Sequence, residues 1–563
     1  MIKENGQEKR VVVAGALGNC VHVAGVMNFL KLAESIGCET HFLGPAVELD
    51  YFAAEINRLN PDVISIGYRL TPQVGETLVK ALIPLIQKKD AIMVFGGTEP
   101  VCKVMRALGV FHYTFNGLER ASEVMRVFRD EEGEYKPSEN AQNLIDRIKI
   151  SRPVPLLRHH FGLPNLSETI KGIETISKSG VLDIISIAPD QNAQESFFRP
   201  SEMNVELEGS GGVPVRTAED LIKLKGSSQF GNYPLMRIYS GTRDLIQWAE
   251  LSTRTLSNEW GAVPLMWYSH LDGRSKRSLE NAIRENQEAM KWYAERKIPL
   301  EVNESHHWSL RESHDSIAVA MAYLAAYNAK KLGVNSYIAQ YMLNTPPGTS
   351  GKMDLAKMLC KIQWIEGLHD AHFKSYRQVR AGLLHMSPNL NIAKGQLAAS
   401  TMLALMLKPD IIHVVGFCEG DHAAEANEVI ESCEIVQGVI KNALLGQPDF
   451  MGDLEILNRI EVLNREVQLI LDAITDLAKD KAQGDDYDPL TDPYNLAHAV
   501  KVGILDAPHL KGNSEASGKL VTRMINGAVY PWDDLKKEKM SECDRLNAIK
   551  ALEIALDSNP DLT

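Results

Sequence analysis

The stretch GNCVHVAG (18–25) sets one imidazole, His22, among small residues directly after the apolar run VVVAGAL. A neutral imidazole is a good transition-metal ligand. Gly15, Gly18, Ala24 and Gly25 leave room for a bulky group to approach the backbone around it. One histidine without companions cannot hold a free zinc ion, but it can be an axial ligand to a metal already held in a macrocycle. The competing reading is a solvated loop histidine. Further on, His306, His307 and Trp308 stand in a row. Adjacent side chains diverge, so pocket lining or packing is expected there rather than a mononuclear metal site. NTPPGTSGK (344–352) lacks the Gly-x4-Gly-Lys spacing of a phosphate-binding loop, and the first loop lacks Gly-x-Gly-x-x-Gly. The seven cysteines (20, 38, 102, 360, 418, 433 and 543) form no close pairs. That pattern offers no zinc signature and no disulfide framework, and it fits a reducing, cytoplasmic setting.

The elements that must hold these residues follow from periodicity. VVVAG (11–15), THFLG (40–44), VISIG (63–67) and IMVFGG (92–97) read as short buried strands alternating with helical stretches such as VMNFLKLAESIG (26–37). This predicts a parallel sheet covered on both faces, with the His22 loop at a strand's carboxyl end. Between about 150 and 448 come eight apolar runs: PVPLL (153–157), DIISIA (183–188), PLMRIY (234–239), VPLMWY (263–268), PLEVN (299–303), SYIAQY (336–341), GLLHM (382–386) and IIHVVGF (411–417). Helical stretches separate them, which predicts a (β/α)8 barrel over a second open sheet. The expected architecture is α/β: a flavodoxin-like, Rossmann-type domain (1–130), a linker (131–149) seen as the polar run DEEGEYKPSENAQN (130–143), a TIM-barrel domain (150–450), and a helical extension and cap (451–563). In that extension Leu457, Ile460, Leu463, Val467, Ile470, Ile474 and Leu477 make one apolar stripe.

With 563 residues, 44% hydrophobic and 24% charged, the chain has the composition of a soluble globular protein of several domains. A net charge of -13 argues against nucleic acid and anionic membranes as partners. No apolar run is long enough to span a bilayer, and the charged start MIKENGQEKR does not read as a signal peptide.

GALGNCVHVAG resembles the corrinoid-binding loop of cobalamin-dependent mutases and methionine synthase, whose pattern is Asp-x-His-x-x-Gly. FLGPAV (42–47), ISIGYRLTP (64–72) and FGGT (95–98) are similar to that family's second strand and turn, its third strand with a Ser/Thr-rich turn, and its Gly-Gly turn. The resemblance implies that His22 is the lower ligand of cobalt. It also places Gly18, Gly25, Thr71, Gly96 and Gly97 along the cofactor's nucleotide tail. The family's Asp falls on Cys20, and a thiol is a weaker acceptor for the imidazole N–H than a carboxylate.

Residues 160 to 530 resemble the catalytic subunit of glutamate mutase, through FGLPNLSETIKGIETISKSGVLDIISIAPD (161–190), GTRDLIQWAE (241–250), SNE (257–259), VNESHH (302–307) and GILDAP (503–508), taken in order. The resemblance implies adenosylcobalamin, a barrel that encloses radicals, and a homodimer by default, with a reactivating chaperone as a further partner. The family's three substrate arginines fall on Gln194, Tyr239 and near Glu219, close to Arg216, so the substrate is expected to be a small acid or amino acid other than glutamate. Arg237 and Arg243 are nearby substitutes. Family glutamates fall on Glu259, Glu304 and, for the adenosyl ribose, Glu419, whose partner lysine falls on Val415. Two family tyrosines fall on Leu265 and Ser269, and Tyr268 or His270 can fill that space. The expected catalytic set is therefore Glu259, Glu304, Tyr239 and His270. Two other readings stay open: a corrinoid methyltransferase, and a non-catalytic cobalamin-binding protein.

Overall fold

In a computed structural model of the chain, residues 9–129, 140–239, 241–449, 452–479 and 487–558 are described. They fall into two units. One gathers the described part of Met1–Lys136 with Lys149–Val154 and Gly438–Pro448, and the other holds the rest.

The first unit is built on β1 (Val11–Ala16), β2 (Glu39–Phe42), β3 (Val63–Gly67), β4 (Ile92–Gly96) and β5 (Tyr113–Phe115). They form one parallel sheet in the order β2-β1-β3-β4-β5, the flavodoxin-like arrangement. Alternate residues of the apolar runs serve opposite faces. Val13, Ile64, Ile66 and Phe95 join one apolar cluster, while Val12, Ala14, Val63 and Val94 join another with the helix Ala24–Ser35. Burial on both faces is why these strands read as unbroken apolar runs. The order reverses between β1 and β3, so the His22 loop leaves the sheet at its topological switch point, where open α/β sheets bind ligands.

The second unit holds β6 (Leu156–Phe161), β7 (Ile184–Ile187), β8 (Leu235–Ile238), β9 (Gly261–Val263), β10 (Leu300–Val302), β11 (Ser336–Leu343), β12 (Lys374–Ala381) and β13 (Ile411–His413). All are parallel, in the order β8-β7-β6-β13-β12-β11-β10-β9, a nearly closed barrel. Only the β8–β9 seam lacks ladder pairing among the described strands. It is stitched instead by the Glu259 N–H donating to Met236 O (3.1 Å) and the Ile238 N–H donating to the Asn258 side chain (3.0 Å). At the barrel's amino end Leu156, Ile184, Leu235, Trp260, Ile338, Tyr376 and Ile411 form an apolar layer. Leu144 and Ile148, from the helix Leu144–Ser151, cap that layer. Predicted strands shift in places, and β6 keeps only Leu156 and Leu157 of PVPLL and runs on to Phe161. GLLHM is a loop with a short 3-10 turn at Leu383–His385, and the strand is the preceding KSYRQVRA. In VPLMWY only Val263 is in β9, which begins at Gly261.

Much of the predicted linker, residues 130–139, lies outside the described residues, and 144–149 are helical. After the barrel, the helix Leu454–Asp476 starts at Asp453, whose side chain accepts from the Glu455 N–H. It buries Ile456, Ile460, Leu463, Val467, Ile470 and Ile474. Leu457 departs from the expected stripe: it is exposed, since position 456 faces inward instead. Residues 481–486 of the predicted tail lie outside the described residues. Beyond them stand an antiparallel sheet, β14 (Thr522–Ile525), β15 (Ala528–Asp533) and β16 (Glu538–Lys539), and the helix Glu542–Ser558. Among the described residues no helix is long and apolar enough to cross a membrane.

Candidate functional site

Two places gather chemistry, one in each unit. In the first, a cavity of about 300 Å³ opens at the carboxyl end of the sheet. That is the lower end of the range for small-ligand pockets. His22, Gly25, Phe29, Ser65, Gly96 and Phe115 are among its lining residues. A Cβ on Gly25 or Gly96 would meet nothing within 4 Å, so both face open space. A Cβ on Gly97 would lie 2.4 Å from the Tyr68 carbonyl oxygen, so only glycine fits that turn. Gly18 sits at φ +64°, a left-handed turn that starts the loop. Asn28, also in the lining, leaves its Oδ1 buried and without a hydrogen-bond partner among the described residues. Such an atom calls for water or a ligand donor.

His22 is exposed at the edge of this cavity. The fully buried Cys20 places Sγ 3.8 Å from its Nδ1, which leaves Nε2 with no partner among the described residues. Thr71 starts the helix Pro72–Leu82 from an extended backbone and is exposed.

In the second unit a polar layer sits on the apolar floor of the barrel. Arg158 donates to Glu301 Oε2 (3.3 Å), Gln378 Oε1 (2.5 Å), Ser186 Oγ (2.7 Å) and His160 Nε2 (2.9 Å). Arg237 Nη2 and Trp260 Nε1 also donate to Glu301 Oε2, at 3.2 and 2.8 Å. Arg158 can only donate, so His160 accepts at Nε2 and carries its proton on Nδ1. The Tyr239 hydroxyl contacts the same ring, and the His413 ring stands edge-on to it at 4.4 Å. Burial, and then Arg158, Arg380 and Arg237, hold His160 well below the usual imidazole range. Burial and Arg158 do the same to His413. Burial, then Arg380, takes His306 down to about 3. Burial pushes Glu301 upward, but Arg237 and Arg158 outweigh it and hold the carboxyl below its ordinary value. The interior is thus a set of neutral imidazoles among three guanidiniums with Glu301 between two of them. Arg237 Nε and Nη1 find no partner among the described residues. An electrostatic surplus of this kind favours an anion.

The residues expected from the sequence do not all converge. Tyr239, directly after β8, joins the polar layer through His160. Glu304 follows β10 and is fully buried. It accepts from the Leu265 and Met266 N–H groups (2.8 and 3.0 Å) and from Trp308 Nε1 (2.9 Å). Burial pushes its pKa up to about 7 against those three donors. Glu259 precedes β9, at the opposite end of the barrel from Tyr239 and Glu304. It accepts from the Leu144 N–H at 3.0 Å, and burial pushes it up to about 7. His270 is exposed on the loop after β9, and its ring has no partner among the described residues. Glu419 follows β13 and is engaged by His159 Nε2 (3.2 Å) and the Gly416 N–H (2.8 Å). Of the substitute arginines, Arg216 is held by Asp190 and Glu208 and Arg243 by Glu202, whereas Arg237 is fully buried in the polar layer. His307 and Trp308 pack around Trp267.

Glu304 and Glu259 give stability a pH signature. Each folded pKa lies above the unfolded value of about 4.3, so the native state holds the proton longer. Their contribution is fully present below about pH 4 and is lost as pH rises towards about 7. The apparent Tm should therefore fall over that window. Glu304→Gln should flatten part of the fall and the double variant with Glu259→Gln more of it, as thermal melts across the range would show.

Apart from Tyr239 and Arg237, the polar layer was missed from the sequence. Its signal was charge and imidazole inside strands: RHH in β6, Glu301 in β10, RQVR in β12 and His413 in β13.

No protein-family model matches the chain, and no curated protein matches it. Among solved structures, a match is found to the cobalamin-dependent S-adenosylmethionine radical enzyme OxsB with aqua-cobalamin and S-adenosylmethionine bound. It has 8% identity and a TM-score of 0.18, and covers 77% of this chain and 56% of that one. The chain thus spans little more than half the length of that enzyme.

Proposed function

We propose that the chain is an adenosylcobalamin-dependent radical isomerase that performs a 1,2-rearrangement on a small carboxylic or amino acid other than glutamate. The observation that carries this reading is His22: an exposed imidazole with a free Nε2 at the edge of a glycine-lined cavity, on the switch-point loop of a flavodoxin-like sheet. The residues present fit a corrinoid. His22 would ligate cobalt, and the cavity beside Gly25, Ser65 and Gly96 would take the nucleotide tail, with Asn28 Oδ1 free to accept from it. When bound, the cofactor supplies a weak cobalt–carbon bond as a radical source.

The barrel's own residues bind and enclose the substrate. Arg237 offers two unspent N–H donors to a carboxylate, and Arg380 adds charge beside the imidazoles. Glu301 Oε1, unpartnered among the described residues, can accept from an amino group. The Tyr239 hydroxyl, beside the His160 ring, can donate a hydrogen bond to a substrate oxygen or nitrogen. The apolar floor excludes water from the amino end of the barrel. Without the family's arginines at Gln194, Tyr239 and Glu219, a second carboxylate has no matching bidentate partner at those positions.

Purification with adenosylcobalamin and with methylcobalamin in the dark tests the reading. Preferential uptake of the adenosyl form, with a cob(II)alamin paramagnetic signal that grows when a panel of small acids is added, is the expected result. Uptake of the methyl form with demethylation by a thiol or folate overturns it in favour of methyl transfer. Binding of either form with no turnover on any acid overturns catalysis.

The Cys20 position adds a quantitative expectation. The 3.8 Å sulfur contact is a weak anchor for Nδ1. Cys20→Asp should raise corrinoid affinity about 10-fold, the low end of what carboxylate partners of metal-bound histidines contribute. Equilibrium titration of both proteins with the cofactor measures it. Unchanged affinity would show that Nδ1 needs no carboxylate.

A further inference from the structure

The loop after β13 carries a cluster that the isomerase reading does not use. A ligand atom of Cys418, one of His422 and one of Glu428 lie within 4.8 Å of one another. The loop is wound tightly, with the N–H groups of Asp421 and His422 both donating to the Cys418 carbonyl, at 2.8 and 2.9 Å. Cys418 is fully buried, whereas 43% of the His422 side chain and 22% of Glu428 are exposed. The thiol therefore forms the floor, and the imidazole and carboxylate form the solvent side.

The His422 ring is held at both nitrogens. Nδ1 lies 2.8 Å from Asp421 Oδ2, and Nε2 lies 2.8 Å from Glu428 Oε1. Glu428 is itself anchored, because its Oε2 accepts from the Glu425 N–H at 3.0 Å. The Glu425 contact caps the helix Ala426–Leu444, and the Cys418 thiol also meets Glu428. One carboxylate thus joins the sulfur and the imidazole in a single cluster, while a simple ion pair accounts for one of the two carboxylates on His422. A carboxylate on one imidazole nitrogen, with thiolate and carboxylate donors at the other, is how metal-binding histidines are oriented. Sulfur, nitrogen and oxygen donors together suit zinc best among common divalent ions.

We propose that Cys418, His422 and Glu428 bind a zinc-class divalent metal, with Asp421 orienting the imidazole and a fourth position open to water or to a donor atom of a small ligand. Bonds of about 2.0–2.3 Å require donor separations of about 3.5 Å, so on binding His422 Nε2 and Glu428 Oε1, now 2.8 Å apart, move apart slightly to admit the ion between them. The Cys418 thiol loses its proton to solvent as the Zn–S bond forms, and any proton on His422 Nε2 is released too. Glu419, next to Cys418, pairs with His159, which ties the occupied loop to β6.

The test uses the full chain with no corrinoid added, stripped by a chelator and then given zinc chloride alone. The expected result is one zinc per chain, with X-ray absorption at the zinc edge showing one sulfur at about 2.3 Å and nitrogen or oxygen at about 2.0–2.2 Å. His422→Ala and Glu428→Gln should each weaken zinc affinity at least 10-fold with unchanged circular dichroism, and Cys418→Ser should remove the sulfur shell. The two variants on the solvent side decide the matter if the buried substitution prevents folding. Substoichiometric zinc, a shell without sulfur in the wild type, or affinity indifferent to His422 and Glu428 overturns the proposal. None of these readings depends on cobalamin, so failure here leaves the isomerase reading untouched.

Discussion

Replacing His22 with alanine should eliminate histidine coordination in the cobalamin-loaded protein and weaken corrinoid affinity more than 100-fold. Loss of a residue that only supports a metal ligand typically costs about 10–100-fold, and His22 would be the ligand itself. The structure makes this a clean substitution. The ring is exposed, and its only polar contact among the described residues is the 3.8 Å approach of Cys20 Sγ. Folding of the first unit should therefore be unchanged by circular dichroism. In the reduced, paramagnetic form of the cofactor, nitrogen hyperfine splitting from ¹⁵N-labelled histidine should be present in the wild type and absent in His22→Ala. An unchanged spectrum would show that cobalt takes no ligand from this loop.

The largest stability effect is expected at Glu301. Its Oε2 gathers Arg158, Arg237 and Trp260, all fully buried. Glu301→Ala leaves two guanidiniums facing each other in the barrel interior without a counter-charge. Removing one member of a buried ion cluster costs about 3–5 kcal/mol, because the remaining charge stays desolvated. Arg237→Met should cost less, since Glu301 keeps Arg158. Chemical denaturation followed by tryptophan fluorescence suits the measurement, because Trp260 sits in the cluster. A change below about 1 kcal/mol for Glu301→Ala would show that the two guanidiniums are already compensated elsewhere.

Strands buried on both faces were plain in the sequence: VVVAG, VISIG and IMVFG carry nothing but apolar and small residues besides Ser65. β5, the three residues YTF, is too short to announce itself. β12 was displaced onto GLLHM for a more instructive reason. Its sequence, KSYRQVRA, is polar at Gln378 and Arg380 because those side chains serve the barrel's polar layer. The apolarity that marks a buried strand is missing where the strand turns polar and charged side chains into the barrel. The same conflict hid Arg158 and His160 behind PVPLL, whose apolar half supplies the floor while the following RHH supplies the site. Glu304 and Tyr239 lie at strand carboxyl ends, as the runs PLEVN and PLMRIY already placed them. Glu259 differs from them. Its place before β9, already visible in SNE preceding VPLMWY, sets it at the other end of the barrel.

The helix Leu144–Ser151, corked into the barrel's amino end by Leu144 and Ile148 and tethered through Glu259, turns the barrel into a cul-de-sac. In the proposed isomerase, reactant and product would share a single doorway, so each molecule would have to depart before its successor could be admitted. Traffic of that kind makes egress, rather than bond-making, a natural place for the slow step of turnover.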